Sequence, residues 1–478
     1  MTDIAIIGAG PGGIAAARWL KAQGFSPIIF EAHTEVGGQW SVSNPMSGVW
    51  PQMVTNTFLE ATRFSDLPYP KGTPLFPHNG AVRAYFENYA REYGLLDLVQ
   101  FRTRLIKLAR KDGTWALLLK RDGEQFERRF ERVVVATGRF NKPVIPVIPG
   151  HETFSGDLGI IHSFNYKDPF AYQNRNVVVL GGAISSLEIA SDLSMLGAAS
   201  VHLAQRRQRY VNPKMVRGLP IEYLLFTYER GALALDDPET LLKDSEEKIL
   251  RYSGDPSRYG TPKPHPEFSK AGATGSQHYL NLVAEGRVTP VEWPERISGR
   301  TLRFPGGSHL DVDGIISGTG FALNLPFLDE ETRDTLRLSD NYIELDEFTL
   351  HPDLPGLAFL GLWSQAGSYP TPLEQQARYL AYSWGSVIQA RSEETMRAGL
   401  QDCAQNGHHT GYRTQSEMAL RFARLCGTDP KDPQSDDLAQ TIRKSATSGL
   451  LYRLVGPDAF DDGPKQLTAQ YTAFCPED

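Results

Sequence analysis

The sequence predicts an α/β protein made of two similar units and a C-terminal helical extension. Each unit consists of a short apolar strand, a glycine-containing turn, a helix and a second strand, and the units begin near residues 3 and 176. Such short apolar runs are typical of strands buried in a parallel sheet. An acid follows the last strand of the first unit, whereas two arginines follow the last strand of the second.

The first unit has the pattern of a Rossmann-like dinucleotide-binding domain. The apolar run Asp3–Ile7 precedes the turn G-A-G-P-G-G, and the second strand ends at Glu31. This acid lies 23 residues after the first glycine, where a ribose-binding carboxylate belongs. In such a turn Gly8 permits the tight bend, Gly10 lets a pyrophosphate approach the backbone, and Gly13 lets the helix pack on the strand.

Residues 101–130 break this pattern. They contain two Asp-Gly pairs that separate three strand-like stretches, which predicts a three-stranded antiparallel insert. The chain then returns to a buried strand that ends in Ala136-Thr137-Gly138.

The second unit has an altered turn. Ala183 and Ser186 stand where the second and third glycines would be, and both are small enough for close backbone approach. We assign to cofactor binding the turn residues Gly181, Ala183, Ser185 and Ser186.

Arg206 and Arg207 follow the second strand of this unit. Two guanidinium groups suit the 2′-phosphate of NADP, although a solvated basic surface pair is the alternative interpretation. The two units together therefore predict a flavoprotein with two Rossmann-like dinucleotide-binding domains. FAD would bind to the first and NADPH to the second, with hydride transfer where the domains meet.

Composition excludes several other classes of protein. The net charge of −7 argues against nucleic acid or an anionic membrane as the main partner. Three cysteines without a C-x-x-C pair argue against a disulfide framework and a metal site, so no metal is expected. There is no apolar run of 18 residues, and a strand begins at residue 3, so we expect a cytoplasmic protein without a signal peptide.

The expected domain plan has four parts. A buried strand at 313–318, another at 357–362 and a long helix after Thr371-Pro372 complete the fold. The expected parts are an FAD-binding domain at 1–170 and 321–391, an NADPH-binding domain at 171–320 with an insertion around 212–278, and the helical extension at 392–478.

Short motifs outside the two turns indicate a family. Gly37-Gly38-Gln39-Trp40 follows the first unit, Asn56 precedes F-S-D-L-P at 64–68, and Thr319-Gly320-Phe321 follows the strand at 313–318. With these motifs, residues 1–390 resemble the flavin-containing monooxygenases, which are class B flavoprotein monooxygenases. A histidine fingerprint between the units, F-S-G with His162 and Tyr166, is two residues longer than in the family, which marks a divergent member.

The resemblance implies roles for individual residues. Asn56 would lie beside the flavin ring where oxygen reacts, whereas an asparagine in a loop is otherwise a turn residue or cap. His162 would be either a structural histidine near the domain hinge or a redox participant. Further residues implied in cofactor binding are Gly38, Gln39, Trp40, Thr55, Thr137, Gly138, Gly320, Gln365 and Leu373.

The resemblance also implies a reaction. NADPH would reduce FAD, dioxygen would form a hydroperoxide at flavin carbon 4a, and one oxygen atom would pass to a sulfide or amine. Tyr166, in place of a tryptophan, favours this over Baeyer–Villiger oxidation of a ketone. A flavin-bound redox sensor is a further alternative, whereas a disulfide reductase would need a cysteine pair. The expected partners are dioxygen and a small-molecule substrate, with a homodimer as one possible assembly.

Overall fold

The computed structural model describes residues 3–406 and 413–475. Its frame consists of two five-stranded parallel sheets, as the two predicted units require. The first sheet contains, in spatial order, the strands Leu357–Phe359, Arg132–Val135, Asp3–Ile7, Ser26–Phe30 and Val99–Gln100. Four of the five residues of the central strand Asp3–Ile7 are buried. Ile4 and Ile6 pack against the helix Pro11–Ala22 on one face of the sheet, whereas Ala5 and Ile7 pack against apolar residues of the segment 105–130 on the other.

The predicted antiparallel insert is present beside this sheet. Its strands are Thr103–Lys111, Thr114–Arg121 and Glu124–Phe130. Both connecting turns have positive φ angles at the aspartate and at the glycine, 49° and 78° in the first, 50° and 94° in the second. This is the backbone that a two-residue hairpin loop requires, so the Asp-Gly pairs were informative.

The second sheet begins earlier in the chain than expected. Its strands, in spatial order, are Thr289–Val291, Ser200–Ala204, Asn176–Leu180, Gly314–Ser317 and Gly159–His162. The strand Gly159–His162 lies within residues 1–170, which the sequence assigned to the first domain, yet it pairs with Gly314–Ser317. The expected boundary at residue 170 is therefore wrong. A strand of four residues does not itself indicate which sheet it joins, because its partner strand lies about 150 residues further along the chain.

Helices cover the sheets and fill the insertion at 212–278. The helices of the two units and the insertion are Pro11–Ala22, Asn79–Glu92, Ile184–Met195, Glu222–Leu225, Tyr228–Asp236, Pro238–Ser253, Phe268–Ala271, Tyr279–Ala284 and Glu330–Thr335. The remaining short strands are Lys142–Pro143, Tyr210–Asn212, Met215–Val216, Leu219–Pro220, Ala273–Gly275, Arg296–Ser298, Thr301–Arg303, His309–Asp311, Phe321–Ala322, Gln365–Ala366 and Arg413–Thr414. None of the helices in the described ranges combines the length and the apolar character that crossing a membrane requires.

The C-terminal part is helical, as predicted, but it is also part of the core. The helices of the extension are Glu393–Asn406, Gln415–Cys426, Asp436–Lys444 and Gly463–Phe474, and the long helix that precedes it is Pro370–Trp384. Met418, Phe422 and Cys426 are buried in the same apolar cluster as the first sheet's helix Pro11–Ala22. Arg378, which is fully buried, donates a hydrogen bond to the carbonyl of Tyr452 at 2.9 Å. The term extension therefore describes its place in the sequence and not its place in the fold.

Candidate functional site

One large cavity connects the two glycine turns. Gly8 and Gly10 line it on the side of the first sheet, and Gly181 and Ala183 line it on the side of the second. Both turns lie at the carboxyl ends of parallel strands, where α/β proteins bind their ligands. The cavity has a volume of about 1570 Å³, which exceeds the roughly 300–1,000 Å³ of a pocket for one small molecule.

Most of the residues predicted from the sequence line this cavity. They are Gly8, Gly10, Glu31, Gly38, Gln39, Trp40, Thr137, Gly138, Gly181, Ala183, Ser185, Arg206, Arg207, Gly320 and Leu373. The other predicted residues, Gly13, Thr55, Asn56, Ser186 and Gln365, are not among the lining residues.

The three glycines of the first turn are needed for different physical reasons. Gly8 has a φ of 102°, and a Cβ there would lie 2.7 Å from the carbonyl oxygen of Ala136. A Cβ on Gly13 would overlap the carbonyl oxygen of Gly8. Gly10 has an ordinary φ of −72°, and the nearest protein atom to its Cβ position, the Cα of Gly38, is 3.5 Å away. The protein itself could thus accept a small side chain at Gly10, so the open space there is available to a ligand.

Two helices begin at the wall of this cavity without a side-chain cap. The helices Pro11–Ala22 and Ile184–Met195 have neither an N-cap hydrogen bond from a side chain nor an acid in the first turn. Residues at both helix starts line the cavity. Their free amide groups and positive dipole ends are suited to a phosphate group.

Glu31 is fixed at the end of its strand by the backbone. Its Oε2 accepts a hydrogen bond from the amide of Ala9 at 2.7 Å, and its Oε1 accepts one from the amide of His33 at 2.8 Å. The side chain is buried except where it lines the cavity. Each carboxylate oxygen can accept a further hydrogen bond, so Glu31 can also bind hydroxyl groups.

Ser186, which stands in place of the third glycine of the second turn, has a structural role. Its Oγ donates to the carbonyl oxygens of Gly318 and Leu180, at 3.1 and 3.3 Å. The hydroxyl thus joins the ends of two neighbouring strands beneath the turn. This explains why Ser186 is fully buried and does not line the cavity.

A basic cluster lies at the second turn's end of the cavity. The guanidinium of Arg206 lies over the ring of Trp293, 4.4 Å from its centroid, and both residues line the cavity. Arg207 donates to the carbonyl of Lys270 at 3.0 Å. Arg209 also lines the cavity, but it was not assigned to cofactor binding from the sequence. Its position two residues after Arg207 could have indicated this role. Trp293 is far from these arginines in the sequence, so its contact with Arg206 could not be predicted.

Two residues of the cavity lining have buried polar atoms without a hydrogen-bond partner within residues 3–406 and 413–475. The Oγ1 of Thr137 and the Oδ1 of Asn141 are buried without a hydrogen-bond partner among the described residues. Gly138 and Gly320 have φ angles of 77° and 86°, and no atom lies within 4 Å of either Cβ position. Buried polar groups normally have partners, so these residues are suited to a polar ligand such as a dinucleotide.

The two predicted glutamines differ in position. Gln39 lines the cavity. It also stabilises the loop beside the cavity, because its Nε2 donates to the carbonyl of Met46 and its Oε1 accepts from the amide of Gly48, both at 2.8 Å. Gln365 is buried away from the cavity. Its Oε1 accepts from Trp363 Nε1 at 2.7 Å and its Nε2 donates to the carbonyl of Ser368 at 2.6 Å.

His162 and Tyr166 are buried outside the cavity lining. His162 Nδ1 accepts from the amide of Phe164 at 3.1 Å, so Nε2 carries the proton and donates to the carbonyl of Gly320 at 2.9 Å. Burial lowers the pKa of His162 below its usual value, although the hydrogen bond to Gly320 acts in the opposite direction. Tyr166 packs edge-on against Trp50, with 5.9 Å between ring centroids. The geometry of His162 favours the structural interpretation.

Asn56 itself does not line the cavity, although other residues of its loop do. Trp50 and Met53, earlier in the same loop, do line it. The Oδ1 of Asn56 is buried and has no partner in the described part of the chain. The predicted contact of Asn56 with a reacting group therefore stays a prediction.

Glu222, from the insertion, lies against this loop. Its Oε1 accepts a hydrogen bond from the amide of Phe58 at 3.1 Å. Complete burial raises the pKa of Glu222 to about 7, although nearby Lys214 acts in the opposite direction.

This raised pKa predicts a pH-dependent stability. The folded protein retains a proton on Glu222 that the unfolded chain, with a pKa of 4.5, releases. The free energy of unfolding should therefore fall as pH rises from about 4.5 to 7, by about 3 kcal/mol at most from this group. Glu222→Gln should flatten that slope, as measured by urea unfolding at pH 5 and pH 8. Equal slopes for both proteins would show that Glu222 does not titrate in this range.

Known proteins match the chain over nearly its whole length. The family model "FMO-like: Flavin-binding monooxygenase-like" matches residues 1–472. The chain is 27% identical over 500 residues to dimethylaniline monooxygenase (N-oxide-forming) 2 of Rattus norvegicus, covering 98% of this chain and 91% of the rat protein.

Two solved structures share the fold. S-allyl-L-cysteine S-oxygenase from Allium sativum is 20% identical, with a TM-score of 0.67 over 99% of each chain. The closed crystal structure of cyclohexanone monooxygenase is 15% identical, with a TM-score of 0.66 over 94% of this chain and 100% of that chain.

The matching family binds flavin and depends on NADPH, and its cofactors are FAD and NADPH. The predictions of both cofactors and of an oxidoreductase are therefore confirmed. The chain belongs to the flavin-binding monooxygenase-like family.

Proposed function

We propose that the protein transfers one oxygen atom from dioxygen to a sulfide or amine of a small molecule, using FAD and NADPH. The observation that carries this proposal is the single cavity, which extends from Gly10 and Glu31 to Ala183 and Arg206. Two dinucleotides held at these ends would share one continuous space. When bound there, FAD and NADPH supply the redox chemistry and the activation of oxygen.

The first end of the cavity would hold FAD. The space beside Gly10 and the uncapped start of the helix Pro11–Ala22 would accept the pyrophosphate. Glu31 would accept hydrogen bonds from ribose hydroxyls while its backbone contacts fix its orientation. Thr137 would donate its unpartnered hydroxyl.

The second end would hold NADPH. Ala183 and Ser185 begin the uncapped helix that would face the pyrophosphate. Arg206 and Arg207 would bind the 2′-phosphate by charge-assisted hydrogen bonds. The stacking of Arg206 on Trp293 limits the rotamers of that guanidinium before any ligand arrives.

An aromatic wall would keep water away from the reacting centre. Phe321 packs edge-on against Phe140 and Phe164, at 5.6 and 5.7 Å between centroids, and Tyr369 packs against Phe140 at 6.2 Å. All four residues line the cavity. The chain's contribution would be binding, orientation and water exclusion, which requires no nucleophilic side chain.

Asn56 would act as an uncharged hydrogen-bonding group beside the reacting centre. An amide offers both a donor and an acceptor without bringing charge into a dry site. Asn56→Asp should lower coupling, so that more hydrogen peroxide and less product form per NADPH, because the carboxylate lacks the donor and adds a charge. FAD content and anaerobic reduction by NADPH should not change.

This prediction has a matched control. Asn174→Asp changes an exposed loop residue away from the cavity and should leave coupling as it is. Unchanged coupling in Asn56→Asp as well would show that Asn56 is only a turn residue.

The names of the relatives support oxygenation of nitrogen or sulfur. The rat relative is described as N-oxide-forming and the garlic enzyme as an S-oxygenase. Oxidation of a ketone is the alternative, since cyclohexanone monooxygenase has the same fold. A cytoplasmic location and a homodimer stay predictions from the sequence.

An assay of NADPH consumption in air separates these functions. Hydrogen peroxide is measured with and without thioethers, tertiary amines and cyclic ketones. The proposal predicts that a thioether or an amine lowers peroxide release and yields one oxygenated product per NADPH. Coupling to a ketone alone would establish the Baeyer–Villiger alternative, and no coupling to any class would favour a redox sensor.

A further inference from the structure

Two buried ionisable residues of the insertion contact the backbone of the loop that carries Asn56. Lys214, whose side chain is 9% exposed, donates from Nζ to the carbonyl of Thr55 at 3.1 Å. The carboxylate of Glu188 lies 3.7 Å from the same ammonium, and its other oxygen accepts from Ser276. The cation is therefore held between the helix Ile184–Met195 and the loop.

The second contact comes from Glu222 at the start of the helix Glu222–Leu225. Its Oε1 accepts from the amide of Phe58, and the ring of Phe58 packs against Tyr223 at 5.6 Å. The residue is completely buried, and its Oε2 has no partner among the described residues. One contact thus fixes the peptide bond before Asn56, and the other fixes the peptide bond after Thr57.

We propose that Lys214 and Glu222 are positioning residues, which hold the loop at 55–58 from the side of the NADPH-binding domain and so set the place of Asn56. This inference rests on the proposed role of Asn56. The side-chain oxygen of Asn56 has no partner among the described residues, so the backbone contacts of its neighbours determine where the amide points.

The energetics argue against a packing role alone. Burying a lysine and a glutamate costs desolvation free energy that apolar residues of similar size would avoid. The charge-assisted hydrogen bond from Lys214 and the hydrogen bond that Glu222 accepts are both directional, so these two side chains restrain the loop more tightly than apolar contacts could. Their position on the insertion also makes the geometry of Asn56 depend on how the two domains meet.

Hydrogen–deuterium exchange of residues 54–60, in protein with and without FAD, tests the proposal. Glu222→Met removes the acceptor at similar length, and the amide of Phe58 should exchange about two- to tenfold faster. Lys214→Met should accelerate exchange in the same segment. Both variants should release more hydrogen peroxide per NADPH, with the KM for NADPH unchanged.

Conservative variants and a control separate positioning from packing. Glu222→Gln and Lys214→Arg keep the acceptor and the donor, so exchange and coupling should return towards the original protein. Lys248→Met removes another lysine of the insertion, which pairs with Asp244 at 3.2 Å, and should change neither.

The outcomes distinguish this inference from the proposed function. Unchanged exchange at 54–60 in the methionine variants overturns the inference, even where the original protein is an active oxygenase. Faster exchange with lost coupling supports it. If the original protein oxygenates nothing, the proposed function fails and exchange alone decides whether the two residues hold the loop. If one methionine variant does not fold, the other decides, because each removes a single contact.

Discussion

Gly10→Val is expected to give folded, colourless protein. The valine side chain would fill the space beside Gly10, which the protein leaves open at the wall of the cavity. A pyrophosphate could then no longer approach the backbone at the start of the helix Pro11–Ala22. Because FAD binding depends on that approach, we expect loss of nearly all flavin and of all NADPH oxidation, the largest effect of any single substitution considered.

Flavin absorbance per protein after purification measures this effect. Gly80→Val is the matched control, since Gly80 lies in the helix Asn79–Glu92 and a Cβ there meets only His78, at 3.8 Å. The control should stay yellow. Circular dichroism shows whether both variants fold, and Gly10→Ala is a milder variant whose Cβ makes only ordinary contacts. A yellow Gly10→Val protein with full flavin occupancy would contradict the assignment of this turn to FAD.

Arg206→Ala is expected to raise the KM for NADPH much more than the KM for NADH. A lost hydrogen bond between charged groups weakens binding by roughly 1.5–3 kcal/mol, or about 10- to 150-fold. Only NADPH carries the 2′-phosphate that this guanidinium would bind. Arg207 and Arg209 remain near the site, so the effect should lie towards the lower end of that range.

Steady-state kinetics with both coenzymes measure this selectivity. Arg303→Ala removes an exposed arginine of the same domain that does not line the cavity, and it should change neither KM. Equal changes in both KM values for Arg206→Ala would show that Arg206 is only a surface charge.

The elements that local chemistry determines were predictable from the sequence. The glycine turn with Glu31 and the two Asp-Gly hairpins depend on φ angles and spacings within a few residues. Small residues at Ala183 and Ser186 could likewise be recognised as substitutes for glycine. The hydroxyl of Ser186 explains why that substitution is tolerated, since it bonds to two strand ends.

Contacts between distant segments were not predictable in the same way. The strand Gly159–His162 joins the second sheet, and Trp293 lies against Arg206, through pairings that leave no local periodicity. Lys214 and Glu222 lie in an insertion without a recognisable motif, so their contacts with the loop of Asn56 appear only in three dimensions. The burial of Cys426 in the first domain's core is a further example.

Oxygen-isotope incorporation tests the central claim most directly. The protein with FAD is supplied with NADPH, a thioether and ¹⁸O₂, and the product is analysed by mass spectrometry. A monooxygenase that uses the shared cavity as proposed should place one ¹⁸O atom in each sulfoxide, with one NADPH consumed per product. A product without ¹⁸O, or NADPH oxidation that yields only hydrogen peroxide with every thioether and amine, would contradict the account.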